Sequence, residues 1–360
     1  MIRIMFTALL LFAGSPVLAQ SVPASLSPAR AVAGPVVIAH RGASGERPEH
    51  TRAAFDLAID QGADVIEPDL VMSRDGVLVV RHENEISETT DVADRPEFAD
   101  RRTTRTIDGS TVTGWFTEDF TLSELKALRA RERLPQLRPA NRAFDGTGSI
   151  LTFEEVIDIA RAGSIRTGRT IGVAPELKHP TYFASRDLEM TGPFVRILRD
   201  QGLTGSDAAV PVMVQSFEVA ALVRLDQEID IPKIQLMAPL GGPADQPEIS
   251  YAAMATPEGL AQIATYATAI GVETTMIEPR DADAATQPPT ALVADAHAIG
   301  LQVIVWTFRA ENIFLPRGDR RGSDPAGHGD LTAMLKRFYA YGVDAVFSDF
   351  PALAVGAREP

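Results

Sequence analysis

Residues 35–42, Pro-Val-Val-Ile-Ala-His-Arg-Gly, and 64–71, Asp-Val-Ile-Glu-Pro-Asp-Leu-Val, decide how the chain folds. Each is a short run rich in β-branched residues that ends in, or is broken by, polar ones. A longer segment of helical spacing lies between them, which predicts a strand–helix–strand unit and a parallel sheet. The pattern recurs, and strands are predicted over residues 36–40, 64–71, 171–177, 210–216, 234–237, 273–278, 302–308 and 344–348. Helices are predicted near 49–61, 153–162, 187–200, 218–225, 257–270, 290–299 and 331–341. In the helix after residue 290, Leu292, Ala296 and Ile299 recur at the i, i+4, i+7 spacing of a buried face. Eight parallel strands with intervening helices predict an α/β fold, a (β/α)8 TIM barrel over residues 35–356, with an open doubly wound sheet as the runner-up. Two stretches break the rhythm. Residues 84–145, polar and turn-rich, form an inserted segment between the second and third strands, and 309–329 follow the seventh strand.

The 360 residues are 45% hydrophobic with mean hydropathy +0.01, enough to bury a large core, which excludes a disordered chain and a disulfide miniprotein. Charges of 34 Lys and Arg against 48 Asp and Glu leave a net −14 and a pI near 4.9, which argues against nucleic acid and anionic lipid as partners. There is no Cys, so any metal or covalent chemistry falls to His, Ser, Asp, Glu or Lys. At the N-terminus Arg3 precedes the apolar run 4–13, a Gly-Ser-Pro break and Val17-Leu18-Ala19. This predicts a signal peptide over 1–19 cleaved after Ala19, and a periplasmic or secreted protein. A retained N-terminal anchor is the alternative. Residues 20–34, rich in Ser, Pro and Ala, then read as a tether. The apolar run falls short of the roughly 20 residues that span a bilayer, so no stable membrane insertion is expected. The sequence leaves the oligomeric state open.

Polar residues gather at the ends of the predicted strands, where a barrel keeps its chemistry: His40 and Arg41, Glu67 and Asp69, Glu176 and Lys178, Gln215, Trp306 and Asp349. In an extended strand Glu67 and Asp69 face the same way, and Glu176 from the next strand adds a third hard oxygen donor of the kind Ca²⁺ or Mg²⁺ takes. The same acids would equally serve as partners for Arg or Lys on the barrel rim. His82 closes the run 77–82, which follows the turn 73–76 and is expected to fold back on the second strand. His40 and His82 then flank the acids, and two imidazoles on either side of a phosphodiester suit general acid and base work. Each is also open to the plainer reading of a buried histidine held by a hydrogen bond. His179, His297 and His328 are read as structural.

The string His-Arg-Gly-Ala-Ser-Gly-Glu-Arg-Pro-Glu-His-Thr over 40–51 closely resembles the signature of the glycerophosphodiester phosphodiesterase family, in particular its exported bacterial branch. In order follow Glu67-Pro68-Asp69-Leu70, Asp75-Gly76, His82, Thr89-Thr90-Asp91-Val92-Ala93, Asp119-Phe120-Thr121-Leu122, Pro175-Glu176-Leu177-Lys178, Gln215-Ser216-Phe217 and Phe347-Ser348-Asp349-Phe350-Pro351. The resemblance implies a TIM barrel with an insertion after its second strand, and hydrolysis of glycerophosphodiesters such as glycerophosphocholine and glycerophosphoethanolamine to an alcohol and sn-glycerol 3-phosphate. It implies that His40 and His82 are the catalytic pair and that Glu67, Asp69 and Glu176 hold one divalent cation. Arg41 and Lys178 would face the phosphate, with Gln215, Phe217 and Trp306 completing the substrate-binding set. Ca²⁺ is expected in preference to Mg²⁺, because an all-oxygen site of flexible geometry suits the larger ion. The nucleophile is water or the neighbouring glycerol hydroxyl. Since the named contacts face phosphate and glycerol, little headgroup preference is expected. Two departures stand out. His82-Glu83 replaces the family's common His-Asp, leaving the partner of His82 open, and Pro48-Glu49-His50-Thr51 replaces Pro-Glu-Asn-Thr. A non-catalytic exported binding protein for phosphodiesters or lipid headgroups on the same barrel, and a phospholipase D of the sphingomyelinase D kind, are the alternatives.

Overall fold

A computed structural model of the chain describes residues 34–205 and 207–358. The expected signal peptide, and all of the tether but Gly34, lie outside the described residues. The strands, in chain order, are β1 Val36–His40, β2 Val65–Glu67, β3 Asp69–Met72, β4 Leu78–Val80, β5 Thr103–Ile107, β6 Ser110–Gly114, β7 Gly172–Val173, β8 Glu176–Leu177, β9 Val214–Ser216, β10 Lys233–Met237, β11 Ala269–Glu273, β12 Gln302–Phe308 and β13 Ala345–Ser348. Two of the predicted strands are each split by a proline, which has no N–H to give the ladder: Pro68 separates β2 from β3, and Pro175 lies between β7 and β8. Across these breaks the pairing continues. Ala174 N donates to Ile66 O, Glu176 N to Pro68 O and Lys178 N to Leu70 O, at 3.0, 3.0 and 3.1 Å. Counting β2 with β3 and β7 with β8 as single strands and leaving out β4, β5 and β6, each of the eight barrel strands pairs in parallel with the next, and β13 pairs with β1. The predicted eight-stranded barrel is therefore closed. The expected hairpin is present as β4, antiparallel to β3.

One strand is displaced from its predicted place. Residues 274–277 form a short helix, with Glu273 accepting a hydrogen bond from Thr275 N at its start, and the sixth barrel strand is β11, four residues earlier. The predicted helix over 257–270 accordingly stops at Ile263. Gly271 explains the displacement: it weakens the strand signal, while in the barrel the Leu236 side chain of the neighbouring strand occupies the space a Cβ there would take, 2.5 Å from Leu236 Cδ2.

Side-chain alternation sorts the barrel into two faces. Val36, Ile38, Val65, Ala174, Met213, Ile234, Leu236, Ala269, Ile304, Ala345 and Phe347 fill the lumen as one cluster. Their neighbours, such as Ala39 and Ile66, or Val303 and Val346, pack outward under the helices in two larger cores. Extending each inward stripe by two or four residues reaches His40 from Ile38, Glu67 and Asp69 from Val65, Glu176 and Lys178 from Ala174, Gln215 and Phe217 from Met213, Trp306 from Ile304, and Asp349 from Phe347. The polar set is the carboxyl-terminal layer of the barrel interior.

Residues 84–145 hold the antiparallel hairpin β5–β6 and a helix, Leu122–Ala127, started by a capping box between Thr121 and Glu124. Buried ion pairs fasten this segment over the barrel mouth. Arg138 donates through Nε to Glu311 Oε1 (2.6 Å), through Nη2 to Asp349 Oδ2 (2.5 Å) and through Nη1 to the Ser44 carbonyl (2.9 Å). Removing one partner from such a buried set leaves charges uncompensated. Arg138→Ala is expected to destabilise the protein by about 3–5 kcal/mol, read as a lower urea midpoint with an unchanged slope. An unaltered midpoint would show that the segment is held by its apolar contacts instead.

Candidate active site

The site begins where β1 turns. Arg41 and Gly42 have φ of 60° and 86°, and a Cβ on Gly42 would lie 2.6 Å from the Ala54 carbonyl carbon, so only glycine fits between this turn and the helix Arg52–Asp60. The turn aims the Arg41 N–H at Glu67 Oε2, 2.8 Å away. It also lays the Arg41 guanidinium between Glu49 (Nη1 to Oε2, 3.1 Å) and Asp69 (Nε to Oδ2, 3.3 Å).

His40 is buried, with Nδ1 2.6 Å from Asp349 Oδ1. Burial favours a protonated Asp349, but Arg138, Arg309 and His40 outweigh it and hold the carboxyl well below its usual range. An ionised carboxylate only accepts, so Nδ1 of His40 carries the hydrogen and Nε2 is left with a lone pair. Burial, then the Arg41 charge, pull His40 down to about 4, which keeps it uncharged at neutral pH.

Glu67, Asp69 and Glu176 are all buried, and one ligand atom of each lies within 4.8 Å of the others. The strand register sets this: Glu67 pairs across to His40, and Asp69 to Glu176. Burial and the neighbouring Asp69 push Glu67 well above its usual range; Glu176 rises to about 8 through burial, despite Lys178 at 3.2 Å and with Asp69 adding to the rise. Asp69 goes the other way, because Arg41 and His50 outweigh its burial. Three oxygen donors that resist being ionised together fit a hard divalent cation, whose charge removes that repulsion. The alternative reading of these acids as rim partners for Arg and Lys also has substance here, since Arg41 and Lys178 touch two of the three. The histidine that departs from the common Asn has a place in the same cluster. His50 adopts φ 58°, in the left-handed region that Asn tolerates well, and its Nε2 lies 2.9 Å from Asp69 Oδ2.

His82 lies just beyond β4 with Nδ1 3.1 Å from Glu83 Oε1, so the glutamate that replaces the common aspartate is its partner. Burial and the charges of Arg41 and Lys178 depress its pKa. Glu83 also meets His179 Nε2 at 3.0 Å, while His179 Nδ1 lies 2.5 Å from Asp108. The other two histidines read as structural keep plain contacts: His297 with Asp344 at 2.8 Å, and His328 edge-on to Phe350.

A cavity of about 260 Å³ is lined by His40, Arg41, Glu67, His82, Glu176, Lys178, Gln215, Phe217 and Trp306, with Asp69 buried beside Glu67. All ten residues singled out in the sequence thus come together. Gln215 donates to Glu67 Oε1 at 3.2 Å, and Phe217 stands edge-on to Trp306, forming an apolar wall. Sequence reasoning missed two cations in the same wall, Arg133 and Arg309. Arg309 follows β12 directly and was within reach of the strand-end argument. Arg133 comes from the irregular insertion and carried no periodic signal.

The family model of the glycerophosphoryl diester phosphodiesterases matches residues 40–353. The Arabidopsis thaliana glycerophosphodiester phosphodiesterase GDPD6 is 36% identical over 326 residues, covering 88% of this chain and 84% of that protein. The Haemophilus influenzae glycerophosphodiester phosphodiesterase is 27% identical, covering 89% and 88%. Among solved structures, an Oleispira antarctica phosphodiesterase in complex with the product sn-glycerol-3-phosphate superposes with a TM-score of 0.60 at 22% identity, covering 91% of this chain and 98% of that one. With the motif residues converging on one cavity and a family match running through nearly the whole barrel, the chain belongs to the glycerophosphoryl diester phosphodiesterase family and is an enzyme of that kind.

Proposed function

We propose that the protein hydrolyses glycerophosphodiesters to an alcohol and sn-glycerol 3-phosphate, using His40 and His82 as the proton-transfer pair and a divalent cation at Glu67, Asp69 and Glu176. The observation that carries this reading is the single cavity in which both imidazoles, the acidic cluster and four cations, Arg41, Arg133, Lys178 and Arg309, meet. The phosphate would lie among these cations, which offset the charge that builds on its non-bridging oxygens. A bound cation supplies further charge to the same oxygens. His40, with ionised Asp349 behind it and Nε2 unprotonated, is suited to take the proton of the attacking hydroxyl, whether of water or of the adjacent glycerol carbon. His82, backed by Glu83, is then placed to protonate the departing alcohol oxygen once it carries the imidazolium proton, a form that the charge of a bound phosphate favours against the depression of its pKa by burial. Phe217 and Trp306 give the glycerol carbons an apolar wall and help exclude bulk water. The product held by the Oleispira relative fits the glycerol 3-phosphate half of such a substrate. A non-catalytic binding protein does not account for two carboxylate-backed imidazoles beside an acidic cluster in one cavity, and the absence of Cys speaks against a phospholipase D of the disulfide-bearing sphingomyelinase D kind. Export to the periplasm or beyond, on the reading of residues 1–19, belongs to the same proposal, as does the choice of Ca²⁺ over Mg²⁺.

Coupled detection of glycerol 3-phosphate from glycerophosphocholine tests the activity. His40→Ala and His82→Ala should each lower turnover by about 10²–10⁴-fold, the usual contribution of general acid–base groups, with unchanged thermal melts. Near wild-type rates in both variants would make the pair structural. Excess chelator should abolish activity, and titration should restore it at lower concentrations of Ca²⁺ than of Mg²⁺. Asp69→Asn, which keeps the shape but removes a charge, should raise the metal concentration needed. Full activity in chelator, or rescue by zinc alone, would mean that the three acids serve another purpose.

A further inference from the structure

Beyond the catalytic cavity lies a second one of about 290 Å³, and Glu176, Lys178 and Phe217 line both. Phe217 forms the partition: its ring stands edge-on to Trp306 on the catalytic side (5.8 Å) and to Tyr251 on the other (6.0 Å). The second cavity in turn shares Asp108, Gly242 and Ala244 with an outer recess, so it lies between the catalytic cavity and the surface. Its size is near the lower end of the ~300–1,000 Å³ typical of ligand sites, the range of a small headgroup.

Charge distinguishes the two cavities. Of the three acids lining the second, Glu176 is matched by Lys178 at 3.2 Å and Asp108 by His179 at 2.5 Å. Asp108 arrives from the insertion, at the two-residue Asp-Gly turn of the β5–β6 hairpin. Glu218 has no cationic partner among the described residues. It is 97% buried, one oxygen accepts from Thr181 N (2.9 Å) and the Thr181 hydroxyl, and the other, Oε1, has no hydrogen-bond partner. A buried carboxylate oxygen left bare costs free energy unless something charged or polar comes to it. Beside it the buried Tyr251 offers a ring, and its hydroxyl pKa is pushed up by burial and by the carboxylates of Asp245, Asp108, Glu176 and Glu218. The cavity therefore sets a carboxyl with no cationic partner among the described residues next to an aromatic face, the combination that receives an ammonium group.

We propose that this second cavity receives the alcohol half of the substrate and selects a cationic headgroup, of the choline or ethanolamine type, through Glu218 and Tyr251. The inference rests on the hydrolase reading above, and it replaces the expectation of little headgroup preference drawn from the sequence, where only phosphate- and glycerol-facing residues were legible. Burial lifts the Glu218 carboxyl to about 7, so a cation beside it also favours release of that proton. Lys178 and His179, the cations on the cavity wall, are already engaged by Glu176, Asp108 and Glu83 and leave the Glu218 side uncompensated.

The test compares kcat/KM for glycerophosphocholine with that for glycerophosphoglycerol, whose headgroup is neutral. The wild type should favour the choline ester by roughly tenfold, the worth of one desolvated cation contact. Glu218→Gln and Tyr251→Leu should each bring the ratio towards one, with thermal melts identifying any variant that fails to fold. Equal rates on both diesters in the wild type, or a ratio unmoved by both variants, would overturn the inference while leaving the hydrolase reading intact. If neither diester is cleaved, the hydrolase reading fails, and calorimetric titration with choline alone still decides the cavity. Binding that weakens in Glu218→Gln supports it, and no binding to the wild type refutes it.

Discussion

Three carboxylates buried within reach of one point repel one another, and the surrounding structure is arranged around that repulsion. Glu67 and Asp69 share a face because they are two residues apart in an extended chain. Glu176 joins them because its strand is in register with theirs. The positive φ of Arg41 lets its amide serve Glu67 while its guanidinium serves Asp69 and Glu49. Lys178 meets Glu176, and His50 meets Asp69. Arg133 reaches Glu49 from the insertion at 2.8 Å. Partners are shared: Asp69 takes both Arg41 and His50, and Glu49 takes both Arg41 and Arg133. A change at one should be felt at several, and single-residue effects here should not add.

A second buried network, around Asp349, adjoins the first, since Arg41 also acts on His40, but serves a different end. Its carboxylate takes His40 on one oxygen and Arg138 and Arg309 on the other. The two guanidiniums keep it ionised, and the ionised carboxylate fixes the tautomer of His40. The residue that prepares His40 is therefore prepared in turn by a residue of the insertion, since Arg138 lies within 84–145. If His40 acts as proposed, the insertion bears on the chemistry through the position of one arginine.

Period-two alternation made the barrel interior and its polar end-layer legible, because both are properties of a single strand and its immediate neighbours. His40, Glu67, Asp69, Glu176, Lys178, Gln215 and Trp306 could all be found by that rule. Asp349 was visible as a strand end, but its pairing with His40 spans 309 residues and has no local signal. Arg133, Arg138 and Asp108 come from an insertion whose place over the barrel is set by long-range contacts. Even there a local signal exists: the Thr-rich run 103–114 is interrupted by Asp108-Gly109, the residue pair of a two-residue hairpin turn. The sixth strand differs from its expected place because Gly271 lowers the local strand signal, while the space beside it is filled by Leu236 from the neighbouring strand.

A net charge of −14 and an anionic substrate are compatible because the field that matters is local. Four cations surround the catalytic cavity, whereas the adjoining cavity has an unmatched Glu218, and Phe217 stands between them. A glycerophosphodiester with an ammonium headgroup is itself a dipole, phosphate at one point and ammonium a few atoms away. Placed across Phe217 it aligns with the cavities in one sense and opposes them in the other. Reversing the molecule about its phosphorus would put ammonium among arginines and leave Glu218 with at most a hydroxyl hydrogen bond in place of a counter-charge, which costs attraction at both ends. On the proposed mode of binding, the order of charges across the two cavities therefore selects which ester oxygen lies next to His82. In a diester whose two P–O bonds are chemically alike, that orientation decides which alcohol departs.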